Sequence, residues 1–215
     1  MCFQYDYDEK GRVIWKKAPG AQPLRMLYDA RDRVVFMQDG NQAAMSPAQW
    51  TVNLYDALDR QVATLHYTTS ETATALQTAL DNAPASATVT ITAAGAPTTT
   101  LTLSLCSITA NLNNTAFTRI LKYQFYDNYT YGGAKAFNTA FTNTTAYSTS
   151  DPNVQPITRS NRTINYPTGT VTRVLGTNTF LTATDFYDEN GAHIQTVEDN
   201  MLYETLPNCE IDHDH

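Results

Sequence analysis

The chain has 215 residues, enough for one large or two small domains, and its 42% hydrophobic content can fill a core. Only 16% is charged, against roughly 25% in an average globular domain; Thr, Asn, Ala and Tyr take up the difference and lean the chain towards strands. The net charge is −7, with no Lys or Arg between Gln61 and Thr118, which excludes the clustered basic face that nucleic acid requires; no apolar run nears the roughly 20 residues of a membrane-spanning helix.

The opening residues, Met1-Cys2-Phe3-Gln4-Tyr5-Asp6, lack the basic and apolar regions of a signal peptide. They start inside a strand-like phrase, as expected of a piece of something longer. Residues 1–67 then repeat one pattern. Tyr7-Asp8-Glu9-Lys10-Gly11-Arg12, Tyr28-Asp29-Ala30-Arg31-Asp32-Arg33 and Tyr55-Asp56-Ala57-Leu58-Asp59-Arg60 each stand between two alternating, β-rich stretches. Two strands around a short polar turn predict a β-hairpin, so this region reads as three hairpins. Gly11 occupies the place where a type I turn with a bulge needs a left-handed residue. Asp32 and Asp59 take that place in the next two copies, and Asp tolerates it better than most residues. The Asp after each Tyr has a carboxylate able to accept turn N–H groups. The Arg past the turn is placed to pair with that Asp or to lie over the Tyr ring, giving a self-contained staple. Pro19-Gly20 and Asp39-Gly40-Asn41-Gln42 break the chain between hairpins.

Residues 68–118 read as a Thr- and Ala-rich insertion. Ser70 to Leu80 predicts one short helix with Ser70 at its N-cap and Ala75, Leu76, Ala79 and Leu80 on one face. Thr88–Thr92 and Thr99–Leu105 alternate strictly and predict a hairpin around Gly95-Ala96-Pro97. Residues 119–206 carry degenerate repeats. Tyr126-Asp127 ends a strand but lacks the Arg, with Tyr129-Thr130-Tyr131-Gly132-Gly133 in its place. Residues 138–168 read as a long loop. Tyr187-Asp188-Glu189-Asn190-Gly191 restores the turn, although Ala192 stands where the Arg would be. Residues 207–215 read as a disordered tail.

The dipeptide Tyr-Asp thus occurs six times. Thirteen Tyr and fifteen Asp placed at random would give about one, so the excess marks a repeated structural unit. The fold class expected is mainly β: a twisted antiparallel sheet of repeated hairpins with one short helix in an insertion.

Chemistry is sparse. Cys2, Cys106 and Cys209 are far apart and form no C-x-x-C, so neither a zinc nor a redox motif is present and their disulfide state is open. Asp6, Asp8 and Gly11 resemble part of a calcium loop, but Lys16 and Lys17 stand where its far acidic ligand belongs. His66 and His193 adjoin no nucleophile motif, and Asp212-His213-Asp214-His215 reads as a solvated end. Carboxylates copied along a chain are unlike catalytic acid–base pairs, which are unique and differently tuned. We therefore expect no enzyme, catalytic residue, metal or cofactor. The residues expected to matter are structural: Tyr7, Asp8, Gly11, Arg12, Tyr28, Asp29, Arg33, Tyr55, Asp56, Arg60, Tyr126, Asp127, Tyr187, Asp188 and Gly191. A Tyr-rich face or the 138–168 loop holding a glycan or a cell-surface partner, with Trp50 and Tyr131 as candidate platforms, is the alternative. A glycosidase using paired carboxylates is the third possibility.

The Tyr-Asp-x-x-Gly-Arg of the first copy resembles the YD repeat of the RHS (rearrangement hotspot) family. Gln4–Asp8, Lys16–Ala21, Tyr28–Arg33, Gln38–Gln42, Ser160–Arg162, Pro167–Gly169 and Val197–Asn200 resemble RHS-type proteins of Bacteroidetes. The resemblance implies hairpins joined into a long sheet that winds into a hollow shell around a toxin or other cargo, in an exported or surface-attached protein. This chain has too few repeats to close a shell, lacks the region where the family cleaves itself, and carries no toxin domain after the repeats. The resemblance therefore implies a wall segment. Its partners would be the remainder of the shell, or copies of itself through open sheet edges, with toxin cargo or glycan as further possibilities.

Overall fold

The computed structural model describes residues 2–83, 99–102, 107–110, 112, 118–139 and 158–200. The protein is mainly β. Strands β1 (Gln4–Tyr7), β2 (Val13–Lys17), β3 (Leu24–Tyr28), β4 (Val34–Gln38), β5 (Ala48–Tyr55) and β6 (Gln61–Thr69) come first. β7 (Thr99–Thr102) and β8 (Ser107–Ala110) follow, then β9 (Thr118–Asp127), β10 (Thr163–Arg173), β11 (Phe180–Tyr187) and β12 (His193–Glu198). Ten of them form one open sheet in the order β1-β2-β3-β4-β5-β6-β9-β10-β11-β12, and each pair described is antiparallel. Helix α1 spans Gly40–Ala43 and α2 spans Ala73–Asp81. The chain divides into two compact units, 1–123 and 124–215.

In the first unit, alternation along the strands makes one apolar face. The register aligns Leu27 with Phe36, Phe36 with Val52, and Val52 with Leu65; all four are buried. Trp50 opposite Tyr67 and Leu54 opposite Ala63 extend the face, and Trp50 meets Phe36 edge-on at 5.9 Å. Amphipathic α2 buries Leu76, Ala79 and Leu80 and packs beside β3. Its N-cap is Thr72, whose hydroxyl accepts from Ala75 N, two residues later than the Ser70 read from sequence.

Helix α1 is a departure from expectation. Asp39-Gly40-Asn41-Gln42, read as a chain break, is a capping box on a single turn. Asp39 Oδ1 accepts from Gln42 N at 2.8 Å, and Gln42 Oε1 accepts from Asp39 N at 3.1 Å. Gln42 then donates to Thr51 at 2.9 Å, fixing the turn to β5. Gly40 is required there, since a Cβ would lie 2.1 Å from the Gln22 side chain. In the insertion, β7 pairs with β8; the 88–92 run expected to pair with Thr99–Leu105 lies outside the described residues.

The second unit corrects the loop reading of 138–168. β10 begins at Thr163, so residues 163–168 are strand, while 140–157 lie outside the described residues. Its core is aromatic. Phe186 is fully buried between Tyr129 at 5.0 Å and Phe137 at 5.2 Å. Phe125 stacks on Tyr131 at 4.1 Å, almost parallel. The Tyr131 hydroxyl donates to Thr168 O at 3.0 Å and lies over Gly169, where a Cβ would stand 1.9 Å from it. Segment 128–139 thus packs on β10 and β11. Asn138 exchanges two hydrogen bonds with Gln195, and the Lys135 ammonium pairs with Asp199. Cys2 is exposed with a free thiol; Cys106, Cys209 and the tail lie outside the described residues.

Candidate functional site

Four Tyr-Asp phrases build one turn. The N–H of the left-handed residue donates to the Asp carbonyl in each: Gly11 to Asp8 at 2.9 Å, Asp32 to Asp29 at 3.1 Å, Asp59 to Asp56 at 3.2 Å and Gly191 to Asp188 at 3.1 Å. Those four residues have φ of 77°, 61°, 64° and 81°. Each Asp Oδ1 accepts two further turn N–H groups at 2.8–3.0 Å, as in Lys10 N and Arg12 N to Asp8 or Asn190 N and Ala192 N to Asp188. A bulge falls just before the Tyr every time. The pattern is a three-residue hairpin loop with a type I turn, in which the carboxylate replaces water on the inner N–H groups.

The Arg is not part of a self-contained staple. Arg12 Nε holds its own Asp8 at 2.6 Å, but its guanidinium lies over the next repeat's Tyr28, 4.6 Å from the ring centre, and Nη1 reaches Asp32 at 2.6 Å. Arg33 repeats this with Asp29, the Tyr55 ring at 4.7 Å and Asp59 at 2.7 Å. Tyr28 and Tyr55 donate their hydroxyls back to Val13 O and Val34 O, the carbonyls just after those arginines. Arg60 holds Asp56 at 2.7 Å.

These contacts define seams between hairpins, and the seams share a register. The residue four before each Tyr pairs with the residue four after the preceding Arg, and likewise at three. The pairs are Leu24 with Lys16 and Arg25 with Trp15, Thr51 with Met37 and Val52 with Phe36, Lys122 with Thr64 and Tyr123 with Ala63. In the first two seams the backbone ladder ends there. Towards the turns, side chains take over: Gln77 of α2 accepts from Tyr28 N at 3.0 Å and donates to Tyr28 O at 2.8 Å, standing in for a strand.

Sequence reading missed the residue that completes the Tyr126 copy. Asp127 makes no hairpin turn; it has φ 72° and its carboxylate accepts from Asn165 N at 2.7 Å. The register of β10 on β11 aligns Thr170 with Ala183 and Gly169 with Thr184, which puts Tyr166 in the position of the missing Arg. Tyr166 stacks on Tyr187 at 4.8 Å, and Tyr187 donates to Pro167 O at 2.7 Å, as Tyr28 does to Val13. Gly191 makes room: a Cβ there would lie 2.1 Å from the Tyr166 hydroxyl. No local signal reveals this, because Tyr166 lies 40 residues after Tyr126.

The electrostatics suit permanence rather than proton transfer. Burial disfavours the Asp8 carboxylate, but the Arg12 backbone N–H and guanidinium outweigh it and hold its pKa below the usual range. The Arg31 hydrogen bond, with Arg33 nearby, lowers that of Asp59. Burial raises the pKa of Tyr28 and Tyr55, and burial with nearby Asp185 pushes Tyr187 up to about 12. Each group is driven away from neutral pH.

The first unit also has a groove of about 1420 Å³ beside this array. Phe3, Tyr5, Trp15 and Arg25 line it from the sheet, and Gln77 and Asp81 from α2. Trp50 and Tyr131, weighed above as glycan platforms, are buried and meet other rings. Among the described residues no cluster of His, Cys, Asp and Glu gathers to hold a metal, and no helix is long and apolar enough to cross a membrane. No family model matches the chain, and no curated protein matches it.

Proposed function

We propose that the chain is architectural: a stretch of wall in an RHS-like YD-repeat shell that encloses a toxin or other cargo in an exported or surface-attached protein, with no catalysis of its own. The observation that carries this is the seam register, repeated between successive hairpins with a cation or ring from one hairpin over the tyrosine of the next. Such a joint transmits the same geometry however many hairpins follow, as in arrays where each unit contacts only its neighbours. The remainder of the shell, or further copies through the open sheet edges, are its partners.

The test is equivalence. Asp8→Asn, Asp29→Asn and Asp56→Asn should each lower the melting temperature by a similar amount. One substitution that abolished a turnover while leaving stability intact would overturn the reading in favour of an enzyme. Electron microscopy of the segment expressed with whatever coding sequence adjoins it addresses the shell itself: a hollow particle supports it, a solid one sinks it.

A second reading, a carbohydrate- or cell-surface-binding module, draws on the groove and its exposed Phe3 and Tyr5. Glycan-array binding that disappears in Tyr5→Ala would favour it.

A further inference from the structure

β1 ends the sheet order, paired with β2 on one side. Its outer side carries the receiving half of one more seam. With Tyr7 as reference, Phe3 and Gln4 stand where Leu24 and Arg25, or Thr51 and Val52, receive the preceding strand. Asp6 Oδ1 accepts from Tyr7 N at 3.0 Å, the role Gln77 plays at Tyr28 N. Backbone pairing is thereby confined to the Phe3–Gln4 end, as in the first two internal seams. The Tyr7 residue is 56% exposed, whereas Tyr28 and Tyr187 in completed seams are 8% and 7% exposed.

The internal seams also show what fits. Where a guanidinium covers the tyrosine, the left-handed turn residue is an Asp that accepts from it, Asp32 or Asp59. Where Tyr166 covers Tyr187, the turn residue is Gly191, whose missing Cβ leaves the space the ring fills. The first hairpin has Gly11 at that position, with no carboxylate to offer and nothing within 4 Å of where a Cβ would stand. Resting on the architectural reading, we propose that the β1 edge docks a β-strand that lays an aromatic side chain, not an arginine, over Tyr7 and Gly11. β12 of a second copy does not supply that ring, because Ala192 holds its corresponding position.

The probe is a synthetic peptide of residues 163–173, which carries Tyr166, titrated into the full chain and followed by amide NMR. Shifts should centre on Phe3, Gln4 and Tyr7, and peptides with Tyr166→Ala or Tyr166→Arg should bind about tenfold more weakly, as loss of one stacked ring gives. Gly11→Asp in the protein should reverse the preference towards the Arg peptide. Equal binding of the three peptides, shifts elsewhere, or no binding at the solubility limit overturns the inference. None of those results alters the equivalence of the Asp substitutions, so the architectural reading stands or falls separately.

Discussion

Asp29 shows how much one carboxylate does in this chain. One oxygen accepts two turn N–H groups and the other takes the Arg33 guanidinium, which continues to Asp59 and the Tyr55 ring. Removing the guanidinium therefore loosens two hairpins at once. Arg33→Ala should destabilise the protein by roughly 1–3 kcal/mol in chemical denaturation, and Arg33→Lys should recover only part, because an ammonium cannot fork between two carboxylates and stack as well. The two turn glycines separate backbone strain from crowding. Gly11→Ala costs the left-handed conformation alone, about 1–2 kcal/mol, since nothing lies near its Cβ position. Gly191→Ala must also displace the Tyr166 ring, so its loss of stability should be clearly larger in the same assay.

At the level of elements, the sequence revealed what is local. Each Asp turn is built from bonds spanning at most four residues, so the Tyr-Asp phrases with Gly or Asp at the left-handed position announce their hairpins. The seams were illegible for the same reason. Arg12 acts on residues 16 and 20 positions ahead, and nothing in the phrase shows whether the guanidinium turns back or forward. The start of β10 was hidden by Asn165, Pro167 and Gly169, which look like loop residues. Each has a tertiary reason: Asn165 takes φ 70° to bind Asp127, Pro167 presents its carbonyl to Tyr187, and Gly169 seats the Tyr131 hydroxyl. Helix α2 was visible from its spacing, but its use of Gln77 was not. Gln77→Ala leaves the N–H and carbonyl of Tyr28 without that partner. It should cost about 1–3 kcal/mol and speed exchange of the Tyr28 amide; unchanged exchange would mean that α2 is held by its apolar face alone.

For the whole molecule, the charge arrangement sets a stability window. Asp8, Asp59 and Asp199 have folded pKa values below their ordinary 3.8, so their contribution is complete above that pH and is lost as pH falls through the folded values. Tyr28, Tyr55 and Tyr187 have folded values above their ordinary 10, that of Tyr187 at about 12, so their contribution is complete below pH 10 and is lost as pH rises through the folded values. Thermal melts should be flat from about pH 7 to 9, decline gently below that because burial lowers the pKa of His66, and fall steeply below about 4 and above about 10. A melting temperature that declines steadily as pH rises through neutrality would contradict the buried-tyrosine assignment.

The brief backbone pairing between the first three hairpins has a mechanical consequence. Two residue pairs join β2 to β3 and two join β4 to β5, whereas eight join β5 to β6. Pulled from its first strand, the molecule should yield hairpin by hairpin, like a zip-fastener with evenly spaced catches, and each release would bare one tyrosine ring ready to take up the next.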